Sequence, residues 1–162
     1  GLEQHIAQAT NLIFFIPTSL IAIIVNVKNK NVNFNDVVER LKNINQLSDL
    51  SIKEIADENG YADKVAKGSY DLNTNQLRKF FGAVKLIEQK TSWDEIEPEF
   101  YLLKPKLAVA VGREVVPKPF YEFMMVLMSK VDVGSEEDKL KNFKVFVDFF
   151  ESVVAYHKYY EK

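Results

Sequence analysis

From Phe34 onward, apolar residues recur at three- and four-residue steps, the spacing that lines one face of an α-helix. Val37, Val38, Leu41 and Ile44 set the first stripe, with Asn35 or Asp36 placed to cap it and an end near Asn45. Ser51 and Glu54 form a capping-box pair, each side chain able to satisfy the other's free backbone N–H, and Gly60 reads as the stop of the short helix that follows. Gly68, Ser69, Asp71 and Asn73 mark a turn, and Thr74 then caps a helix whose apolar face is Leu77, Phe80, Phe81, Val84 and Ile87. The acidic, Pro98-containing stretch around Trp93 reads as a connection or a helix start. Helical spacing resumes with Phe100, Leu103, Leu107 and Val111 up to Gly112, and Pro105 suits a first helical turn. Pro117 and Pro119 bracket another start, before the broad face of Phe120, Phe123, Met124, Leu127, Met128 and Val131. Gly134 and Ser135 break the pattern, and Ser135 with Asp138 repeats the capping-box spacing. Leu140, Phe143, Val147, Phe150, Val154 and His157 trace the last helix, its face widened by Phe146, Phe149 and Val153.

A helix apolar around more than half its circumference belongs at the centre of a bundle, which assigns the last helix to the core. No strand alternation competes and no internal repeat is visible. The pattern therefore predicts an all-α fold, a compact helical bundle of about five or six helices, over residues 32–162. Residues 1–31 look appended. They contain the uncharged run Leu12 to Val27, which reaches the roughly 20 residues of a membrane span only by counting Asn11, Pro17, Thr18, Ser19 and Asn26. The chain opens without the basic start and small-residue cleavage site of a signal peptide, so secretion is not expected. The apolar run reads either as a membrane attachment or as an extra amphipathic helix that covers part of the bundle or promotes self-association, and its length argues against the membrane.

Composition narrows the chemistry. With 162 residues and 47% hydrophobic content the chain can bury a core in one domain. It has no cysteine, which removes disulfides, thiolate nucleophiles and cysteine metal sites and suits the reducing cytoplasm. The six glycines, at 1, 60, 68, 82, 112 and 134, are too dispersed to cradle a phosphate. The two histidines, His5 and His157, cannot assemble a metal triad or an HExxH helix. Asp94 with Glu97 could do acid–base work or hold magnesium, but an acidic cap favoured by the helix dipole accounts for them better. The expectation is a protein that is not an enzyme, needs no cofactor or metal, and works by binding a partner.

A net charge of −2 and a pI near 5.8 argue against a general polyanion binder, so any nucleic-acid contact needs a local basic face. Arg78 and Lys85, seven apart, share a stripe opposite the Phe80, Phe81 and Val84 face, with Gly82 between them. Lys106 and Arg113 repeat that spacing around Ala110, a small residue that leaves room for a sugar–phosphate backbone. Two basic rails of this kind would grip phosphate independently of sequence, although an ordinary solvated face uses the same spacing.

Three segments then resemble one family: Asn75 to Phe81 (NQLRKFF), Leu103 to Ala110 (LKPKLAVA) with Gly112 and Arg113, and Phe149 to Lys158 (FFESVVAYHK). In order and spacing they are similar to the small subunit of type III-A CRISPR effector complexes, the Csm complex, over residues 32–162. The resemblance implies a small helical bundle in several copies, stacked in a filament with other subunits and lining the channel that holds guide RNA paired with target RNA, in antiviral defence. It implies no nuclease activity, since target cleavage in such complexes belongs to the repeated backbone subunit. By carry-over from the first two segments, Arg78, Lys79, Lys104, Lys106 and Arg113 become RNA-contact candidates; Lys85 rests on helical spacing alone. His157 is expected to be a buried, hydrogen-bonded histidine in preference to a contact, and Tyr156, Tyr159 and Tyr160 either pack or stack on bases. The family does not begin with an apolar run; the stretch from Gln8 to Val32 resembles part of a sulfite-exporter type membrane permease. The competing reading is a protein-interaction or membrane-attached helical module without RNA.

Overall fold

The computed structural model describes residues 34–69 and 71–161. The apolar run 11–27, its permease-like stretch and the reading of residues 1–31 as appended lie outside them. The described chain is α1 (34–43), a 3-10 turn (Leu47–Asp49), α2 (Ile52–Ala56), α3 (Tyr61–Gly68), α4 (Thr74–Glu88), α5 (Trp93–Gly112), α6 (Lys118–Ser129) and α7 (Glu136–Tyr160), with no strand among the described residues. The fold is all-α, a compact helical bundle.

Both expected capping boxes form. The Ser51 hydroxyl accepts from the Glu54 N–H at 3.2 Å while the Glu54 carboxylate accepts from the Ser51 N–H at 2.9 Å. Ser135 and Asp138 repeat this at 3.2 and 3.0 Å at the start of α7. The end of α5 at Gly112 and the start of α6 between Pro117 and Pro119 also fall where the pattern puts them, while other boundaries differ in instructive ways. Phe34 is already helical, so Asn35 and Asp36 lie within α1 and do not cap it. Asn73, not Thr74, caps α4, because its side-chain oxygen reaches two free N–H groups, those of Asn75 and Gln76, at 3.0 and 3.3 Å. Gly60 does not stop α2, which ends at Ala56; it opens α3, where an added Cβ would lie 2.7–2.9 Å from three backbone oxygens. The stretch around Trp93 is a helix start, one of the two readings it allowed, and α5 runs from it unbroken through 20 residues with Pro98 and Pro105 both inside, so Pro105 lies in mid-helix and not in a first turn. Each proline forgoes one i→i−4 hydrogen bond, a loss offset by the stripe of Trp93, Ile96, Phe100, Leu103 and Leu107 buried along the same helix.

The last helix is the centre, as its pattern predicts. Phe143, Phe146, Val147, Phe149, Phe150 and Val153 are all buried, and rings from three other helices converge on them. Phe100 of α5 meets Phe143 and Phe146 edge-on, with centroids 6.0 and 5.5 Å apart. Phe80 and Phe81 of α4 meet Phe150 at 5.3 and 5.9 Å, and Phe123 of α6 meets Phe149 at 5.6 Å. Such pairs add about 0.5–1.5 kcal/mol each beyond area burial.

Polar groups fix the register of α7. Buried Asn142 accepts from the Ser48 N–H at 2.9 Å and donates to the carbonyls of Val131 and Val133 at 3.1 and 3.3 Å. His157 is buried and its Nε2 donates to the Ser69 carbonyl at 3.0 Å, the structural role expected for it; a carbonyl only accepts, so Nε2 carries the proton. Tyr156 donates to the Ala56 carbonyl at 2.8 Å, and Tyr160 to Asp63 at 2.5 Å, so both pack.

Candidate nucleic-acid interface

Helices α4 and α5 bury Leu77, Val84 and Ile87 on one side and Phe100, Leu103 and Leu107 on the other. Their outer flanks do not meet, and a groove runs between them. Its central cavity, about 260 Å³, lies between Gln76, Lys79, Phe80 and Ala83 of α4 and Lys106, Leu107 and Ala110 of α5, closed by Val116. A second cavity of about 410 Å³ continues it past Val109 to Arg113 and Val115. A third, of about 130 Å³, extends the other way past Leu86, Glu99 and Leu102. Lys106 borders all three. The helical repeat explains the line-up: 76, 79, 83 and 86 form one stripe of α4, and 99, 102, 106, 110 and 113 one stripe of α5. Ala83 and Ala110 keep the groove open.

The structure brings together three of the six candidate cations. Lys79, Lys106 and Arg113 border adjoining cavities, and none of their side chains makes an ion pair or hydrogen bond among the described residues. Arg113 also caps the C-terminus of α5, where the helix dipole favours a cation.

The other three lie elsewhere. Lys85 is half-buried, paired with Glu88 on its own helix and with Glu151 of α7 at 3.8 Å, and its ammonium lies 5.9 Å from the centre of the Phe81 ring. The hydrogen bond that Lys85 donates to Glu88, reinforced by Glu151 and Asp148, holds its pKa above the usual lysine value. Arg78 is exposed, and its charge helps to keep the Glu161 carboxyl at the end of α7 below its ordinary pKa, after the larger effect of Lys158. The Arg78 and Lys85 stripe thus turns towards α7 and does not flank the groove. Lys104 rests 4.7 Å from the centre of the Tyr101 ring. Tyr101 donates to Asp132 at 2.6 Å, which, with burial, pushes the phenol up to about 12. Asp132 also pairs with Lys139 at 2.9 Å.

Sequence reasoning missed Gln76, Ala83 and Val116 as groove residues. The i, i+3 and i+7 spacing of Gln76, Lys79 and Ala83 holds the signal for two of them, whereas Val116 arrives only through the turn after α5. Among the described residues no group of three or more His, Cys, Asp or Glu could hold a metal, and no helix is long and apolar enough to cross a membrane.

These features define an all-α bundle whose basic groove lies between two neighbouring helices. The family model described as Csm2 Type III-A matches residues 49–162, and the chain belongs to that family. It is therefore a small subunit of the type III-A CRISPR complex, with the other Csm subunits as partners. The match takes in α4 and α5 whole. No curated protein matches the chain, and no solved structure does.

Proposed function

We propose that the α4–α5 groove is where this subunit holds RNA, with Lys79, Lys106 and Arg113 on the sugar–phosphate backbone of guide or target RNA, independently of its sequence. The observation that carries this is the convergence on one groove of three cations that have no partner among the described residues, in a chain of net charge −2. Cations already neutralised by neighbouring carboxylates, such as Lys85, would have to give up a partner to take a phosphate; these three would not. Arg78 and Lys104 supply outer contacts to the same RNA, and Lys85 a weaker one. The subunit acts without catalysis in the cytoplasm, stacking with copies of itself and with the other subunits, as a domain beginning near Val32.

Titration of labelled single-stranded RNAs of unrelated sequence across a salt series tests this, alongside the Lys106→Glu/Arg113→Glu variant. The expected result is sequence-independent affinity that declines steeply with salt and is lost in the variant. Equal behaviour of variant and wild type would sink the groove reading. A second reading then takes its place, a protein-contact module without RNA, and it has its own observation: Leu86, Leu102 and Val109, at 65, 55 and 58% exposure, stand at the rim of the groove.

A further inference from the structure

A surface that only tracks phosphates needs cations and room, and the central cavity of the groove has something else. Its floor is apolar, made of Phe80, Ala83, Leu107, Ala110 and Val116. Such a floor offers a phosphate oxygen nothing in exchange for its water, and a charged group placed against it would be penalised. A flat aromatic face suits it well, because every base has a π-face that can lie on apolar and aromatic side chains. The volume, about 260 Å³, falls below the roughly 300–1,000 Å³ of pockets for drug-sized ligands and fits a single base with part of its ribose.

The polar groups of the cavity stand where such a ligand needs them. Lys79 comes from α4 and Lys106 from α5, so the two ammoniums border the cavity from opposite helices, as the phosphates on either side of an inserted nucleotide would require. Gln76 is the one uncharged polar side chain of the lining, and its amide makes no hydrogen bond among the described residues. An amide presents both donors and an acceptor, so it can meet the edge of any base without selecting one. We propose that this cavity takes one unpaired nucleobase of the bound RNA, with the Gln76 amide on its edge and Lys79 and Lys106 on the flanking phosphates. The proposal rests on the groove being the RNA site and adds that an unpaired nucleotide is gripped by its base as well as by its charge. A base held in a duplex is stacked and paired and cannot enter.

The test compares a short single-stranded RNA with a fully abasic ribose–phosphate oligomer of the same length and charge, titrated into the full-length wild-type protein. Stacking of one base predicts about tenfold tighter binding of the intact strand. The variants Ala83→Leu and Ala110→Leu fill the cavity and keep every cation. They are expected to abolish the advantage of the intact strand over the abasic one, whatever narrowing the groove costs both strands alike, with circular dichroism melts checking that each is folded. A second readout needs no variant: the fluorescence of one 2-aminopurine in the strand should change on binding to the wild type, and a base-paired form of that strand should show no such change. Equal affinity for intact and abasic strands in the wild type overturns the pocket while leaving the phosphate groove intact. Loss of salt-dependent affinity in Lys106→Glu/Arg113→Glu supports the groove on which the pocket rests, whereas an unchanged charge-reversed variant overturns both.

Discussion

The hydroxyl of Tyr160 donates to the carboxylate of Asp63, 97 positions earlier in the chain, at 2.5 Å. This bond ties the last turn of α7 to α3. Asp63 is fully buried, and it also accepts from Lys67 at 2.8 Å and from the Asn59 N–H at 3.0 Å. Burial pushes its pKa up, but the three donors together outweigh burial and hold it below the ordinary carboxylate value. A carboxyl whose pKa is depressed by folding stabilises the fold above its unfolded pKa and loses that contribution as pH falls through the folded value. Tyr160→Phe removes one donor and leaves the buried carboxylate short of a partner. It is expected to cost about 1–3 kcal/mol in urea unfolding at neutral pH, and to start the acid loss of stability at a higher pH than in the wild type. Identical pH profiles for the two proteins would show that the bond does not hold α7 in place.

Asn142 gives a sharper case, because three backbone groups from two loops depend on it. Asn142→Leu leaves the Ser48 N–H and the carbonyls of Val131 and Val133 without it, at an expected cost of about 3 kcal/mol. Asn142→Asp is expected to be as damaging at neutral pH, since it sets a carboxylate against two carbonyl oxygens. Its deficit should shrink in acid, where the protonated carboxyl can donate to one of them. Urea midpoints of the two variants at pH 7 and pH 4 check this, and a deficit for Asn142→Asp that is independent of pH would contradict it.

Three glycines should respond to alanine in opposite directions. A Cβ on Gly82, exposed in the middle of α4, meets nothing within 4 Å, so Gly82→Ala should raise stability by about 0.5–1 kcal/mol through helix propensity. Gly134 has φ +86°, and a Cβ there would lie 2.7–2.9 Å from Asp138 side-chain atoms, so Gly134→Ala should lower the melting temperature and weaken the cap of α7. Gly60→Ala should do likewise, because backbone oxygens cannot retreat as a flexible side chain can. Thermal melts of the three variants order them directly.

The three groove cations, without a partner among the described residues, predict the salt dependence of RNA binding. Each phosphate contact on a single strand contributes about 0.7 to the slope of log affinity against log salt, so Lys79→Gln/Lys106→Gln/Arg113→Gln should flatten that slope by about 2. Lys85→Gln, which loses a cation already paired with Glu88 and Glu151, should change the slope far less. A salt titration by fluorescence anisotropy separates them, and an equal flattening by Lys85→Gln would show that the groove has no special place in binding.

The features legible along the chain follow from interactions within a few residues of one another. The all-α class, the caps at Ser51 and Ser135 and the central place of α7 are written in periodicity and in i, i+3 pairs, whose geometry any helix enforces. The core role of His157 was also readable, since it continues the apolar face of α7. Helix α3 escaped notice because Ala62, Val65, Ala66 and Gly68 are small and trace no broad apolar stripe. Pro98 and Pro105 looked like boundaries because their local penalty is visible, whereas the burial of Phe100 and Leu103 that offsets it exists only once α5 packs on α7. The six cations could be placed on helix faces, but which of them share a groove depends on how α4 lies against α5 and α7. That Lys79, Lys106 and Arg113 converge while Lys85 is taken up by Glu151 emerges only on folding, because distances across helices are set by packing and not by spacing along the chain.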